Sequence, residues 1–421
     1  MGVCEASHMS TQTSGSSGPA IDSANSLVSG DVRRHNLGIV ASYLVSNGPS
    51  SRSQIADGTG LTRGAVTALA KLLTDAGVLR ATETVADGGK GRPLTLLELA
   101  AADIAILALQ LDADQATALL VSLAGDTLFR FAEHHGRPMG DPEPVLDVLA
   151  RVLDRALAAA AGAGRRIADL TVVVFAPVGG DPAQVIADTD LAWGTVDVLG
   201  GLGKRVPGMP DIARLSADAP VAALAEHSRL TGVGDMLYLK SNSGIGGAMI
   251  VDGRLVEGAH GLAGAFGHLP VDHDGAQCPC GQRGCLVTVA GPDVVLEAAG
   301  LGGELEKNGL TSALAELTRR IASADEQATA AWEEAAIWVA RTLHILTMSL
   351  DPQVVMLGGY WAGLTGPVRK AFAGNRPIIA GTQPWDEPEI VSGQLGDDAA
   401  LLGAVWAARD RLLQDPLHMN T

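Results

Sequence analysis

Three of the four cysteines in this chain fall within eight residues, Cys278-Pro279-Cys280 and Cys285, and His268 stands ten residues before the first of them. Three thiolates and one imidazole complete a tetrahedral zinc shell with no vacant position, which predicts a structural metal rather than a catalytic one. The alternative, three reduced buried cysteines, does not explain why they bracket Gly281-Gln-Arg-Gly284 so closely. Four cysteines in 421 residues are also too few for a disulfide scaffold.

A chain of this length exceeds one ordinary domain of roughly 150 residues, so more than one is expected. Its 47% hydrophobic and 18% charged residues are ordinary globular usage, and no apolar run approaches the roughly 20 residues of a membrane span. The first residues are small and polar, without an apolar signal-peptide centre, so the expected location is cytoplasmic. A net charge of −17 argues against nucleic acid when averaged over the chain, but the charge is unevenly placed. Residues 27–97 carry eight basic and five acidic side chains, a net of +3, which leaves −20 for the remainder. A small basic unit on a large acidic body is the layout of a DNA-binding head attached to something else.

Ahead of that head, residues 1–26 have the composition of a disordered tail. Leu37, Val40, Ala41, Leu44 and Val45 recur at helical spacing until Gly48-Pro49 stops the run. Ser51-Arg-Ser-Gln54 fits a capping box, and the helix it starts ends near Gly58. Gly60 allows a tight turn, Thr62 can cap a third helix, and Val66, Leu69 and Leu73 form its buried stripe up to Gly77. This order predicts a helix-turn-helix whose outward face presents Arg63, Thr67 and Lys71, with Arg52 at the start of the preceding helix. Two strands, Val78–Leu79 and Pro93–Leu97, would flank a glycine-rich wing whose Lys90 and Arg92 are suited to reach into a minor groove or along the phosphates. The competing reading is a three-helix packing module whose cations are a solvated face.

Past residue 100 the pattern is α/β: strands over Ile104–Leu111 and Ala116–Leu123, a helix over Val145–Ala161, a strand over Leu170–Phe175, and strands Met236–Leu239 and Met249–Val251 around Ser241-Asn-Ser-Gly-Ile-Gly-Gly247. That glycine-rich turn could bring backbone amides to a phosphate or be a plain hairpin.

Gly261-Leu-Ala-Gly-Ala-Phe-Gly-His268 followed by Cys278-Pro-Cys-Gly-Gln-Arg-Gly-Cys285 resembles the zinc-bearing signature of the ROK family of repressors, open reading frames and sugar kinases. The resemblance extends through Gly91-Arg-Pro93, Asp218, Ala222-Ala-Leu-Ala-Glu226, Asn242-Ser-Gly-Ile-Gly-Gly247, Val354-Val-Met-Leu-Gly-Gly359 and Ala400-Leu-Leu-Gly-Ala404. It implies a two-lobed actin-like/hexokinase-like ATPase fold behind an N-terminal winged helix-turn-helix: a head over 27–100, a small lobe over 101–220 completed by a C-terminal helix at 397–413, and a large zinc-bearing lobe over 221–396. It also implies homodimers or homotetramers, which suit palindromic operators.

The departures from the family are chemical. Where family kinases carry an Asp-x-Gly-Gly-Thr phosphate loop, this chain has Gln110-Leu-Asp-Ala-Asp114, without glycine, and Asp114 would place a negative charge beside phosphate. Asn242 replaces a glycine of the second loop. The asparagine partnering the catalytic aspartate is Ala217, two sugar-binding glutamates are Ala265 and Val287, and a further asparagine is Asp190. Asp218 is either the relic of the catalytic base or the cap of a helix beginning near Pro220, the second being preferred. The expected function is therefore a DNA-binding regulator, most often a repressor in this family, without kinase activity. Its cleft would involve Asp190, Asp218, Gly244, Gly246, Gly247 and His268 in binding a sugar-type effector, unless a protein partner replaces it. The alternative is an ATP-dependent sugar kinase with a fused DNA-binding head.

Overall fold

The structure, a computed structural model, describes residues 29–82, 95–100, 103–374 and 387–417. Lys90 and Arg92, and the tail over 1–26, lie outside the described residues. The head consists of helices α1 (Ser29–Asn47), α2 (Arg52–Thr59) and α3 (Arg63–Asp75) and strands β1 (Ser50–Ser51), β2 (Leu79–Thr82) and β3 (Leu96–Leu99). Both halves of the capping box form: the Ser51 hydroxyl accepts from the Gln54 amide at 3.3 Å, and the Gln54 side chain accepts from the Ser51 amide at 2.9 Å. Gly60 takes the left-handed conformation (φ 72°) that turns α2 into α3, and the Thr62 hydroxyl accepts the Ala65 amide. Strand β3 pairs with β2 as predicted and also with the short β1, which the sequence did not announce because two serines carry no alternation.

The body contains two five-stranded sheets built to one plan. The first, β4 (Ile104–Leu111), β5 (Gln115–Ser122), β6 (Thr127–His134), β7 (Arg166–Val174) and β10 (Ala213–Ala217), runs in the order β10-β7-β4-β5-β6. A short hairpin of β8 (Val178–Gly179) and β9 (Gln184–Val185) lies between β7 and β10 in sequence. The second sheet, β11 (Met236–Ser241), β12 (Ile245–Val251), β13 (Arg254–Leu255), β14 (Val354–Gly359) and β15 (Glu389–Ser392), runs β13-β12-β11-β14-β15. In each, three consecutive strands pair antiparallel and two more add in parallel beside the first of them. The central strand β4 is buried along its whole length, which is why it reads as an unbroken apolar run. Edge strand β6 alternates Phe129 and Phe131 with charged residues and faces solvent on one side.

Each sheet ends in a helix, and these two helices pack on each other: Asp218–His227 after β10, here the cleft helix, and Ala399–Gln414 after β15, the C-terminal helix. A Cβ on Gly403 would overlap the Val221 carbonyl, so only glycine permits this approach. The expected division at residue 220 cuts the cleft helix, which begins at Asp218. The C-terminal helix also packs on β4 and β7, where Arg411 makes a bidentate pair with the buried Asp169 at 2.9 and 3.0 Å. Its far end meets the head, since a Cβ on Gly38 of α1 would lie 2.6 Å from the Leu413 carbonyl oxygen. One apolar core therefore runs from Leu37, Val40 and Leu44 through Ala404 and Val405 to Val221 and Ala222. No helix among the described residues is long and apolar enough to cross a membrane.

Candidate functional site

Between the two lobes lies a cleft of about 1190 Å³. Its lining includes all six residues singled out as a ligand site, Asp190, Asp218, Gly244, Gly246, Gly247 and His268. The glycine-rich turn is shorter than its sequence suggests: β12 begins at Ile245, so Gly246 and Gly247 are strand residues. Gly247 is required by packing, because a Cβ there would lie 2.5 Å from the Phe266 ring.

Asp218 does not cap the cleft helix. It is the helix's first residue, behind Ala217 as N-cap, and no side-chain cap hydrogen bond is made. Its carboxylate instead accepts from the ammonium of Lys240 on β11, and both side chains are buried. The expectation of a cap therefore fails, because sequence spacing could not show that the pleat of β11 aims Lys240 into the cleft. Burial alone would pull the Lys240 ammonium down, but Asp218 and Asp112 beside it hold its pKa above the ordinary lysine value.

The turn joining β4 to β5 is equally unlike a phosphate loop. Three consecutive residues there engage the second lobe. Asp112 faces Lys240, and burial pushes its carboxyl up despite that cation. Ala113 is buried in the second lobe's apolar core with Leu310, Ala313 and Leu314. Asp114 accepts from the Thr311 hydroxyl at 2.7 Å and the Thr311 amide at 3.2 Å, at the start of the helix Leu310–Ala322. Asp114 thus does not stand free beside a phosphate position, as the sequence suggested; it fastens the hairpin tip across the cleft. Arg137 and Asp293 add a second link at 3.3 Å.

In the same lobe, Asp188 accepts the amides of Asp190 (3.1 Å) and Leu191 (2.9 Å) and so shapes a tight turn. Burial, with Asp188 next to it, pushes the Asp190 carboxyl up to about 8. Folded, this acid keeps its proton between about pH 4 and 8 where the unfolded chain, at the ordinary 3.8, has lost it. Its contribution to stability therefore falls as pH rises through that window. Asp190→Asn should flatten this slope and raise the melting temperature at pH 8; a melting curve unchanged at pH 8 would count against a buried neutral acid.

His268, Cys278, Cys280 and Cys285 converge so that one ligand atom from each lies within 4.8 Å of the others. His268 Nδ1 is 3.7 Å from Cys278 Sγ, and Cys280 Sγ is 3.6 Å from Cys285 Sγ. Tetrahedral bonds of about 2.1–2.3 Å give edges of about 3.7 Å, so the group fits one four-coordinate metal ion. The preceding segment lies flat on β12 through the Gly247 amide and the Gly264 carbonyl (2.9 Å), tying the metal-binding group to the cleft floor.

On the head, Arg63, Thr67 and Lys71 are exposed along α3, although Lys71 also pairs with Asp75 at 2.6 Å. Arg52 is half-buried and its Nε has no partner, so it is less available than the sequence implied. Sequence reasoning missed Lys240 altogether, and it missed Glu226 as an anchor: this buried carboxylate accepts the amides of Gln394 (3.0 Å) and Leu395 (2.9 Å) ahead of the C-terminal helix. A lysine inside an otherwise apolar strand was the available signal for the first.

A protein-family model, the ROK family, matches residues 106–411. N-acetylmannosamine kinase of Citrobacter koseri is 32% identical over 218 residues, 50% of this chain and 72% of that protein. The Haemophilus influenzae enzyme of the same name is 31% identical over 229 residues, 52% of this chain and 72% of its own. Among solved structures, a ROK family transcriptional regulator, a homolog of the E. coli MLC protein, superposes with TM-score 0.69 at 21% identity over 92% of this chain and 98% of its own. A ROK family glucokinase from Streptomyces griseus, solved with glucose and AMPPNP, gives TM-score 0.59 at 23% identity over 72% and 99%. At these identities the two structural likenesses are likenesses of fold.

Proposed function

This chain belongs to the ROK family, and from that premise we propose that it is a cytoplasmic DNA-binding transcriptional regulator, acting as a repressor, whose cleft senses a ligand and does not transfer phosphate. The observation that carries the loss of catalysis is the β4–β5 tip, where Asp112, Ala113 and Asp114 engage the second lobe in place of a glycine loop. Phosphoryl transfer depends on positioning and charge neutralisation of the phosphates, and three side chains docked across the cleft leave no backbone cradle for them. Lys240 completes the change by pairing with Asp218, the residue at the family's catalytic-base position.

The head is read as a winged helix-turn-helix in which α3 enters a major groove with Arg63, Thr67 and Lys71, and Lys90 and Arg92 reach the backbone from the wing. The metal is read as structural zinc, because three thiolates and an imidazole leave no position for substrate. A homodimer or homotetramer would present two such heads to a palindromic operator. A sugar-type effector is the first candidate input and a protein partner the second.

Fluorescence anisotropy on DNA from the chain's own upstream region tests this reading. Binding should be sequence-specific, weaken steeply with salt, and fall about tenfold or more in Arg63→Ala. Sequence-independent binding that ignores Arg63→Ala would count against it. The kinase reading is favoured by the names of the relatives and by the survival of Asp218 and Gly244 in the cleft. A coupled ADP-release assay across hexoses and amino sugars decides it, since turnover abolished by Asp218→Asn would reverse the assignment.

A further inference from the structure

The charges lining the cleft specify the chemistry of its ligand, an inference that rests on the cleft being the sensory site of the regulator. Four acidic side chains line it, Asp188, Asp190, Asp218 and Glu257, against one lysine. That lysine, Lys240, is engaged by Asp218 and faces Asp112. Asp188 is occupied by two backbone amides. The side chains of Asp190 and Glu257 make no hydrogen bond or ion pair among the described residues, and Glu257 is exposed, which leaves Asp190 as the unpaired carboxyl turned away from bulk water. Its carboxylate lies over the glycine turn, 2.8 Å from where a Cβ on Gly244 would be, so it faces the cleft across the narrowest available neighbour. Arg137, which favours its ionised form, is itself paired with Asp293.

A phosphorylated or otherwise anionic ligand would enter against this field, and among the described residues lining the cleft the one lysine is already engaged. A neutral sugar can pair a hydroxyl with the Asp190 carboxyl but gains nothing from the excess of negative charge in the cleft, which favours a ligand cation. We infer that the cleft takes a polyhydroxylated primary amine, an aminohexose with its ammonium free, and that this ammonium pairs with the Asp190 carboxylate. Ionisation of that carboxyl, held protonated in the empty cleft, then accompanies binding. N-acetylation removes the charge and adds bulk at the same point, so it should abolish the preference.

Isothermal titration of the full chain at pH 7.5 with glucosamine, galactosamine and mannosamine, each beside its N-acetyl form, and with glucose and glucosamine 6-phosphate, tests the assignment. One free aminohexose should bind about tenfold or more tighter than its N-acetyl form, glucose and the phosphate ester. Asp190→Asn, which keeps size and shape, should erase that preference while the protein still melts cooperatively. The inference is overturned if a neutral sugar or the phosphate ester binds tightest, if no aminohexose binds, or if Asp190→Asn leaves the preference intact. Specific operator binding without an amine response would overturn this inference alone. An amine response without operator binding would instead overturn the regulator reading.

Discussion

Replacing Lys240 with methionine is expected to destabilise the protein by about 3–5 kcal/mol, the range seen when one partner of a buried ion pair is removed. Lys240 and Asp218 are both nearly inaccessible to water, and Asp112 faces the same ammonium, so the substitution strands carboxylates in the interior. Methionine fills most of the volume, which separates the electrostatic effect from that of a cavity. Urea unfolding monitored by circular dichroism measures it, and the paired substitution Lys240→Met with Asp218→Leu should recover much of the loss, because both charges then leave together. A single variant within about 1 kcal/mol of the parent would mean that water reaches the pair and that Asp218 is not held as described. ADP release should stay absent in Lys240→Met, since freeing Asp218 does not remove the hairpin tip from the second lobe.

Metal removal should have a comparable effect through a different route. Purified protein is expected to contain about one zinc per chain, and Cys285→Ser, which loses a buried ligand, about none. Because the ion binds only the folded arrangement, its binding energy is folding energy, and the loss should be several kcal/mol. The change should also be local in a defined way. Segment 261–268 holds β12 through Gly264 and places Phe266 in the second core, so limited proteolysis should first cut around 261–285 and the cleft should lose ligand affinity. A variant without metal that keeps the parent's melting temperature and proteolytic pattern would show that the four side chains do not form a structural site.

Much of the head was legible in the chain because its determinants are local. The capping box spans three residues, the Gly60 turn depends on one left-handed glycine, and the stripe Val66, Leu69 and Leu73 repeats within a single helix. The convergence of His268, Cys278, Cys280 and Cys285 was legible for the same reason, the four residues lying within one short excursion between β13 and the helices of the second lobe. Strand β6 was missed because its charged face dilutes the apolar signal, and the partial burial of Arg52 was not legible because helical position does not report burial.

What sequence alone determined, then, was each interaction whose partners lie within a turn or two of one another: caps, stripes, strand periodicity and the spacing of metal ligands. It also allowed comparison of single positions with the kinase motifs of the family, because that requires only residue identity. Tertiary structure decided which distant residues meet. Lys240 and Asp218 are 22 residues apart, Asp114 and Thr311 are 197 apart, Glu226 and Gln394 are 168 apart, and Arg411 and Asp169 are 242 apart. Such pairs are set by strand register and by the closure of one lobe on the other, and a one-residue slip would turn Lys240 to the opposite face of its sheet. Local patterns carry no record of that register, so the link that the β4–β5 turn makes between the lobes became visible only once the chain had folded.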